Sequence, residues 1–311
     1  MPHDHDHSHA HSHSHHHHDH TPEHFGWSFA IATALNLALV IGQVWYGFAA
    51  NSLALLADAG HNLGDVMGLV LAWGAIAIAN WKPSSRFTYR MQAASILSAF
   101  ANGMILLVGT GVIAWEAFHR FSEPQPVAPA TVMVVAALAV VVNGASAWLL
   151  SRGSKGDLNV RGAFLHMAAD AGVSVAVILA AGGIMLTGWQ WLDPVASLLI
   201  SAVILWGTWS LLREAIRLAL NAAPREIDPH DVRQYLAGLA EVENVHDLHI
   251  WAMSTKETAM SCHLVTPRGH PGDGFLKSVA HELDHRFEIC HATLQIELEP
   301  GACTLRCDHA A

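Results

Sequence analysis

Charge is scarce in this sequence. Asp, Glu, Lys and Arg make up 14% of its 311 residues, against about 25% in an ordinary soluble domain. Hydrophobic residues reach 52% and the mean hydropathy is positive, which excludes a large soluble enzyme and points to a chain embedded in lipid. Cysteine is almost missing: none precedes Cys262, so no disulfide can staple the apolar part. Cys262, Cys290, Cys303 and Cys307 all fall in the polar C-terminal segment. In a reducing compartment they are expected as metal ligands or buried thiols, with Cys262 and Cys290 read as buried. A basic stretch leading into a short apolar core is also missing from the N-terminus, so the first apolar segment is expected to stay as a membrane helix.

The apolar residues concentrate between about Trp27 and Leu212, in six runs long enough to span a bilayer at roughly 20 residues each. They are Trp27–Ala49, Leu53–Ala79, Ala93–Ala117, Ala130–Leu150, Gly162–Leu186 and Trp191–Leu212. Lys82, Arg86 and Arg90 follow the second run, Arg152, Lys155 and Arg161 the fourth, and Arg213 and Arg217 the sixth. The alternate loops carry only Arg120. This asymmetry predicts both termini in the cytoplasm, and a bacterial inner membrane is the expected location.

The predicted division is a His-rich disordered tail over 1–24, a transmembrane unit over 25–220 and a metal-binding domain over 221–311. In the last part, "DPHDVRQYLAGL" has helical spacing after Asp-Pro, and "NVHDLHIWAM" and "TAMSCHLVT" alternate like strands. "GDGFLKSVAHELDHRF" reads as a helix and "HATLQIELE" as a strand. That order predicts a small ferredoxin-like α+β domain. Its strands lack paired aromatics and its surface is acidic, so nucleic acid binding is not expected.

Ionisable groups inside the apolar runs are costly and mark function. "LLADAGHNLGDV" carries His61 and Asp65, one helical turn apart on one face, with Asp58 a turn earlier; "GAFLHMAADAGVS" repeats the spacing with His166 and Asp170. Two helices that each offer an imidazole and a carboxylate supply the tetrahedral nitrogen and oxygen set that a divalent ion such as zinc prefers. A helix-packing role would suffice for one such residue, but not for two copies of the pair. Asn36, Asn102 and Asn143 are expected to bond helix to helix. A membrane-embedded metalloprotease would need His-Glu-x-x-His with Glu as base, and the chain is expected to lack such a run.

The stretches "NSLALLADAGHNLGDV", "NVRGAFLHMAADAGVS", "WLDPVASLLISAVIL" and "VHDLHIWAMS", in this order, resemble the zinc-exporting branch of the cation diffusion facilitator family over Phe25 to Glu299. The resemblance implies a homodimer that exchanges cytoplasmic Zn²⁺ for protons by alternating access. It implies a transport site formed by His61, Asp65, His166 and Asp170, with His61 going with zinc over cadmium or cobalt. It further implies a metal site in the C-terminal domain at His246, His263 and Glu297. Cys303 and Cys307 are candidates to complete that set, and His230, at a helix start, is another candidate. Strand alternation puts His246 and His249 on opposite faces, with His249 toward the core. The chain departs from the family where many members carry Arg-Ala-Glu before the third span: here the stretch is "QAASILSA". The loop "NWKPSSRF" lacks His, Asp and Cys, so no ion site is expected there.

Half of the 24 histidines fall in the first 24 residues. Without fixed geometry, that run should bind Zn²⁺, Ni²⁺ or Cu²⁺ weakly and stay disordered. The reading is therefore a secondary transporter, not an enzyme, whose partners are divalent ions, protons and the bilayer. The rival is a membrane metal sensor or store without transport.

Overall fold

The computed structural model describes residues 27–151 and 158–299. The His-rich tail, Cys303 and Cys307 lie outside them. Six long helices come first: α1 (Trp27–Ala49), α2 (Leu53–Ala79), α3 (Ala94–His119), α4 (Pro129–Ser151), α5 (Leu158–Thr187) and α6 (Leu192–Ala219). Each matches a predicted run, and α2 to α6 carry stretches long and apolar enough to cross a membrane. Trp206 is 85% exposed, Trp73 75% and Leu179 70%. Such an apolar outer surface is stable only against lipid. The helix core is apolar, built on Leu55, Val132, Ala136, Val177, Ile184 and Ile200.

Helix ends differ from the hydropathy edges. α6 runs past Leu212 to Ala219 and α5 starts four residues before Gly162, because leaving the lipid does not stop a helix; a breaker does. For α6 that breaker is Asn221, in the left-handed region at φ 60°.

The start of α2 is tied down from two sides. Ser52 caps it, its hydroxyl accepting from the Leu55 N–H at 3.2 Å. The buried carboxylate of Asp193, in the first turn of α6, accepts from the Ser52 hydroxyl and the Leu53 N–H. From the end of α3, Arg120 donates to both the backbone and the side-chain oxygen of Asn51, at 2.6 and 2.7 Å. Three helices are thereby joined at the end of the bundle away from the C-terminal domain. Further along α2, Gly64 lets α3 come close, since a Cβ there would stand 2.1 Å from the Leu106 side chain.

The C-terminal domain has α7 (Pro229–Ala237), β1 (Asn244–Ala252), β2 (Thr258–Val265), α8 (Asp273–Phe287) and β3 (His291–Glu297). β2 is central, antiparallel to β1 and parallel to β3. Asp228 caps α7 ahead of Pro229, and Glu288 ends α8 in the left-handed region. α7 and α8 cover one face through Val232, Leu236, Met260, Leu264 and Leu283. The other face carries His246, His263 and Glu297 among smaller apolar side chains such as Ala259 and Val265.

The two parts meet where the β1–β2 turn reaches α3. Gln92 donates to the Glu257 carboxylate, and the Thr255 N–H donates to the Ser95 hydroxyl at 3.1 Å. Tyr89 meets His291 edge-on at 5.2 Å between ring centroids.

Candidate metal centre

α2 and α5 carry the two His-x-x-x-Asp pairs because four residues on a helix return to one face. His61 Nε2 lies 3.0 Å from Asp170 Oδ1 and 3.9 Å from Asp65 Oδ2. His166 Nε2 lies 3.2 Å from Asp65 Oδ2 and 3.6 Å from Asp170 Oδ2. Around zinc with bonds of about 2.0–2.1 Å, tetrahedral ligand atoms stand about 3.3 Å apart, and the four separations bracket that value. His61, His166 and Asp170 offer ligand atoms all within 4.8 Å of one another; Asp65 stands outside that trio but against both imidazoles. Asp170 Oδ2 is buried without a hydrogen bond, an orphan that a cation would satisfy. Side-chain exposure is uneven: 2% for Asp170, 36% for Asp65 and 44% for His166.

One turn before His61, Asp58 is fully buried. It accepts from Gln43 Nε2 at 2.6 Å and from the Ser174 hydroxyl at 3.0 Å, and Gln43 in turn accepts from Asn62. These partners come from α1 and α5, and the sequence offered no signal for them. Asp58 Oδ1 is left without a partner. Of the asparagines expected to join helices, Asn102 Oδ1 and Asn143 Nδ2 are buried without hydrogen bonds, so neither atom forms the expected bond.

On the face of the sheet away from α7 and α8, His246 and His263 stand directly opposite one another on β1 and β2. His246 Nε2 lies 3.0 Å from Glu297 Oε2, and His263 Nδ1 lies 2.8 Å from Glu297 Oε1. The buried His263 Nδ1 forms no hydrogen bond despite that distance, again an arrangement a shared cation would satisfy. Burial alone would raise the Glu297 carboxyl. Hydrogen bonds from His246 and Gln295, with the charges of His246 and His263, outweigh it and hold the group below the usual carboxylate range. Burial pushes the Cys262 thiol up to about 12.

Other expectations need correcting. His249 does not point into the core. An extra residue in β1 between His246 and His249, with Asp247 at φ 51°, resets the alternation. His249 is therefore exposed and stands 2.9 Å from Asp247, whose other oxygen is 3.5 Å from His263 Nε2. Asp247 thus stands against both His249 and His263, a placement alternation hides. Cys290 is exposed, not buried, because it sits in the turn before β3. His230 is exposed at the start of α7 and does not join the His246–His263–Glu297 group. A His-Glu-x-x-His run does occur outside the spans, at His281 to His285 on α8.

Residues 29–218 match the model of the cation efflux transmembrane domain, and residues 224–299 match that of the cation efflux protein cytoplasmic domain. The chain is 36% identical over 277 residues to the cadmium, cobalt and zinc/H(+)-K(+) antiporter of Bacillus subtilis (strain 168), covering 88% of each. It is 37% identical over 276 residues to the zinc transporter ZitB of Escherichia coli (strain K12), covering 88% of this chain and 87% of that one. A solved structure, the metal-bound C-terminal domain of the CzcD transporter from Cupriavidus metallidurans, shares 30% identity. That match covers 23% of this chain and all of the other, at a TM-score of 0.22.

Proposed function

Because this chain belongs to the cation efflux family, the cation diffusion facilitators its sequence resembles, we infer that it exports divalent zinc from the cytoplasm in exchange for protons. The observation that carries this reading is the convergence of His61, Asp65, His166 and Asp170 in a lipid-embedded helix pair. Zinc is the cargo, with cadmium and cobalt next, following the names of the relatives. The rival of a sensor without transport finds no support in relatives named as transporters and antiporters, and no enzymatic role is assigned.

Metal binds deprotonated imidazole and carboxylate, so loading the site expels protons and acidity expels metal. A site that opens to each side in turn therefore exchanges one for the other without a separate device. Moving two charges outward against 100 mV costs about 4.6 kcal/mol, at about 2.3 per charge, and inbound protons offset it. On α2, Leu53, Ala54, Leu55, Ala57, Asp58 and Ala59 are buried, whereas beyond His61 only Gly64 and Ala75 are. This supports a conformation closed on the Leu53 side of the site and open toward the C-terminal domain.

In the same reading the chain divides into a metal-gathering tail over 1–24, a transport unit over 25–220 and a regulatory domain over 221–311. It acts as a homodimer in a bacterial inner membrane with both termini cytoplasmic, as the basic loops favour. His246, His263 and Glu297 bind regulatory zinc on the sheet face away from α7 and α8, with Cys303 and Cys307 as further candidate ligands. The test is zinc flux into proteoliposomes under an imposed pH gradient, read with zinc and pH dyes together. Coupled signals that vanish in Asp65→Ala are expected. Zinc flux without proton movement would indicate a channel, and no flux in correctly inserted wild-type protein would indicate the sensor.

A further inference from the structure

We propose that His281 and His285 on α8 form a separate two-imidazole site for a divalent transition ion. Val279 and Leu283 anchor the helix in the domain core. At 3.6 residues per turn, each histidine lies two residues and about 200° round from one of those anchors. Both are exposed, and their rings already meet edge-on with centroids 4.3 Å apart. Imidazoles four apart on a well-packed helix converge on one ion at little ordering cost. The ions that suit imidazole are Zn²⁺, Cu²⁺ and Ni²⁺.

His281 and His285 belong to the run His281-Glu282-Leu283-Asp284-His285, the pattern that holds catalytic zinc in metalloproteases. Catalysis there takes three protein ligands and one open position. Among the described residues no third His, Cys, Asp or Glu joins this pair. Two imidazoles leave the remaining positions to water, so the site binds an ion reversibly and hydrolyses nothing. α8 covers the face of the sheet opposite His246, His263 and Glu297. The two sites share no ligand and fill independently, and with fewer protein ligands the α8 pair fills at higher free metal. Bound metal then clips the last turns of α8.

The test is histidine footprinting with diethyl pyrocarbonate on the full chain in detergent, across free Zn²⁺ set by a metal buffer, with each labelled peptide read by mass spectrometry. This resolves the pair from the His-rich tail. Labelling of His281 and His285 should fall together with one midpoint, by about tenfold at ten times that midpoint, since the free fraction is 1/(1 + [L]/Kd). His281→Ala should abolish protection of His285 and leave that of His246 and His263 unchanged. Labelling that ignores zinc, or protection of His285 that survives His281→Ala, would overturn the site.

Discussion

Asp170 divides its two oxygens between tasks: one lies against His61, and the other is buried with no hydrogen bond. Asp170→Asn keeps the shape and removes the charge. Zinc flux in proteoliposomes should fall by more than about 100-fold, beyond the 10–100-fold that partners outside the ligand set cost. The thiols give a second residue-scale test. Cys262 is buried, with its thiol pushed up to about 12, so almost no thiolate exists at pH 7. Maleimide should label Cys290 and spare Cys262 until the protein unfolds, as read by peptide mass spectrometry. At this scale the paired His-x-x-x-Asp was legible because charge inside an apolar run is conspicuous. The partners of Asp58 were not, since Gln43 and Ser174 reach it only through packing of α1 and α5 against α2. One added strand residue reverses alternation at His249, and the α8 histidines lie in a polar stretch where ionisable groups are not conspicuous.

Among the elements, hydropathy located all six membrane helices but not their ends, because lipid boundaries and helix boundaries have different causes. The start of α2 shows what sequence pattern omits. Ser52 is a readable cap, whereas Asp193 is distant in sequence and was visible only as part of "WLDPVAS". Asp193→Ala leaves the Ser52 hydroxyl and the Leu53 N–H buried without their acceptor, at about 1–3 kcal/mol each. Thermal unfolding in detergent should shift down accordingly, and Asp193→Asn, which keeps an acceptor oxygen, should lose less.

Across the whole molecule, the expected ferredoxin-like order of helices and strands is present, but nothing in that order says where the domain touches the membrane helices. The contact lies at Gln92, Ser95 and Tyr89, meeting Glu257, Thr255 and His291. Ser95 stands in the stretch that departs from the family pattern, and it is joined here to the turn between the strands that carry His246 and His263. Combined Gln92→Ala and Glu257→Ala should speed amide exchange in 253–257 and 87–95 without changing exchange at the start of α2. The double variant should show a coupling energy within about 0.5–3 kcal/mol when the single variants are included. Unchanged exchange would mean the contact carries no load.

In the proposed transport site, the uneven exposure of the four side chains would order the removal of an ion's hydration shell. An arriving ion would meet the more exposed His166 and Asp65 first, while still carrying most of its water, and would surrender the last molecules only against the buried Asp170. Ions that dehydrate readily pass through that sequence, whereas Mg²⁺ holds its waters and demands octahedral geometry. Millimolar Mg²⁺ should therefore leave zinc flux unaltered: selection against the commonest cytoplasmic divalent ion is then a matter of exchange rates at the mouth of the site, settled before full coordination is reached.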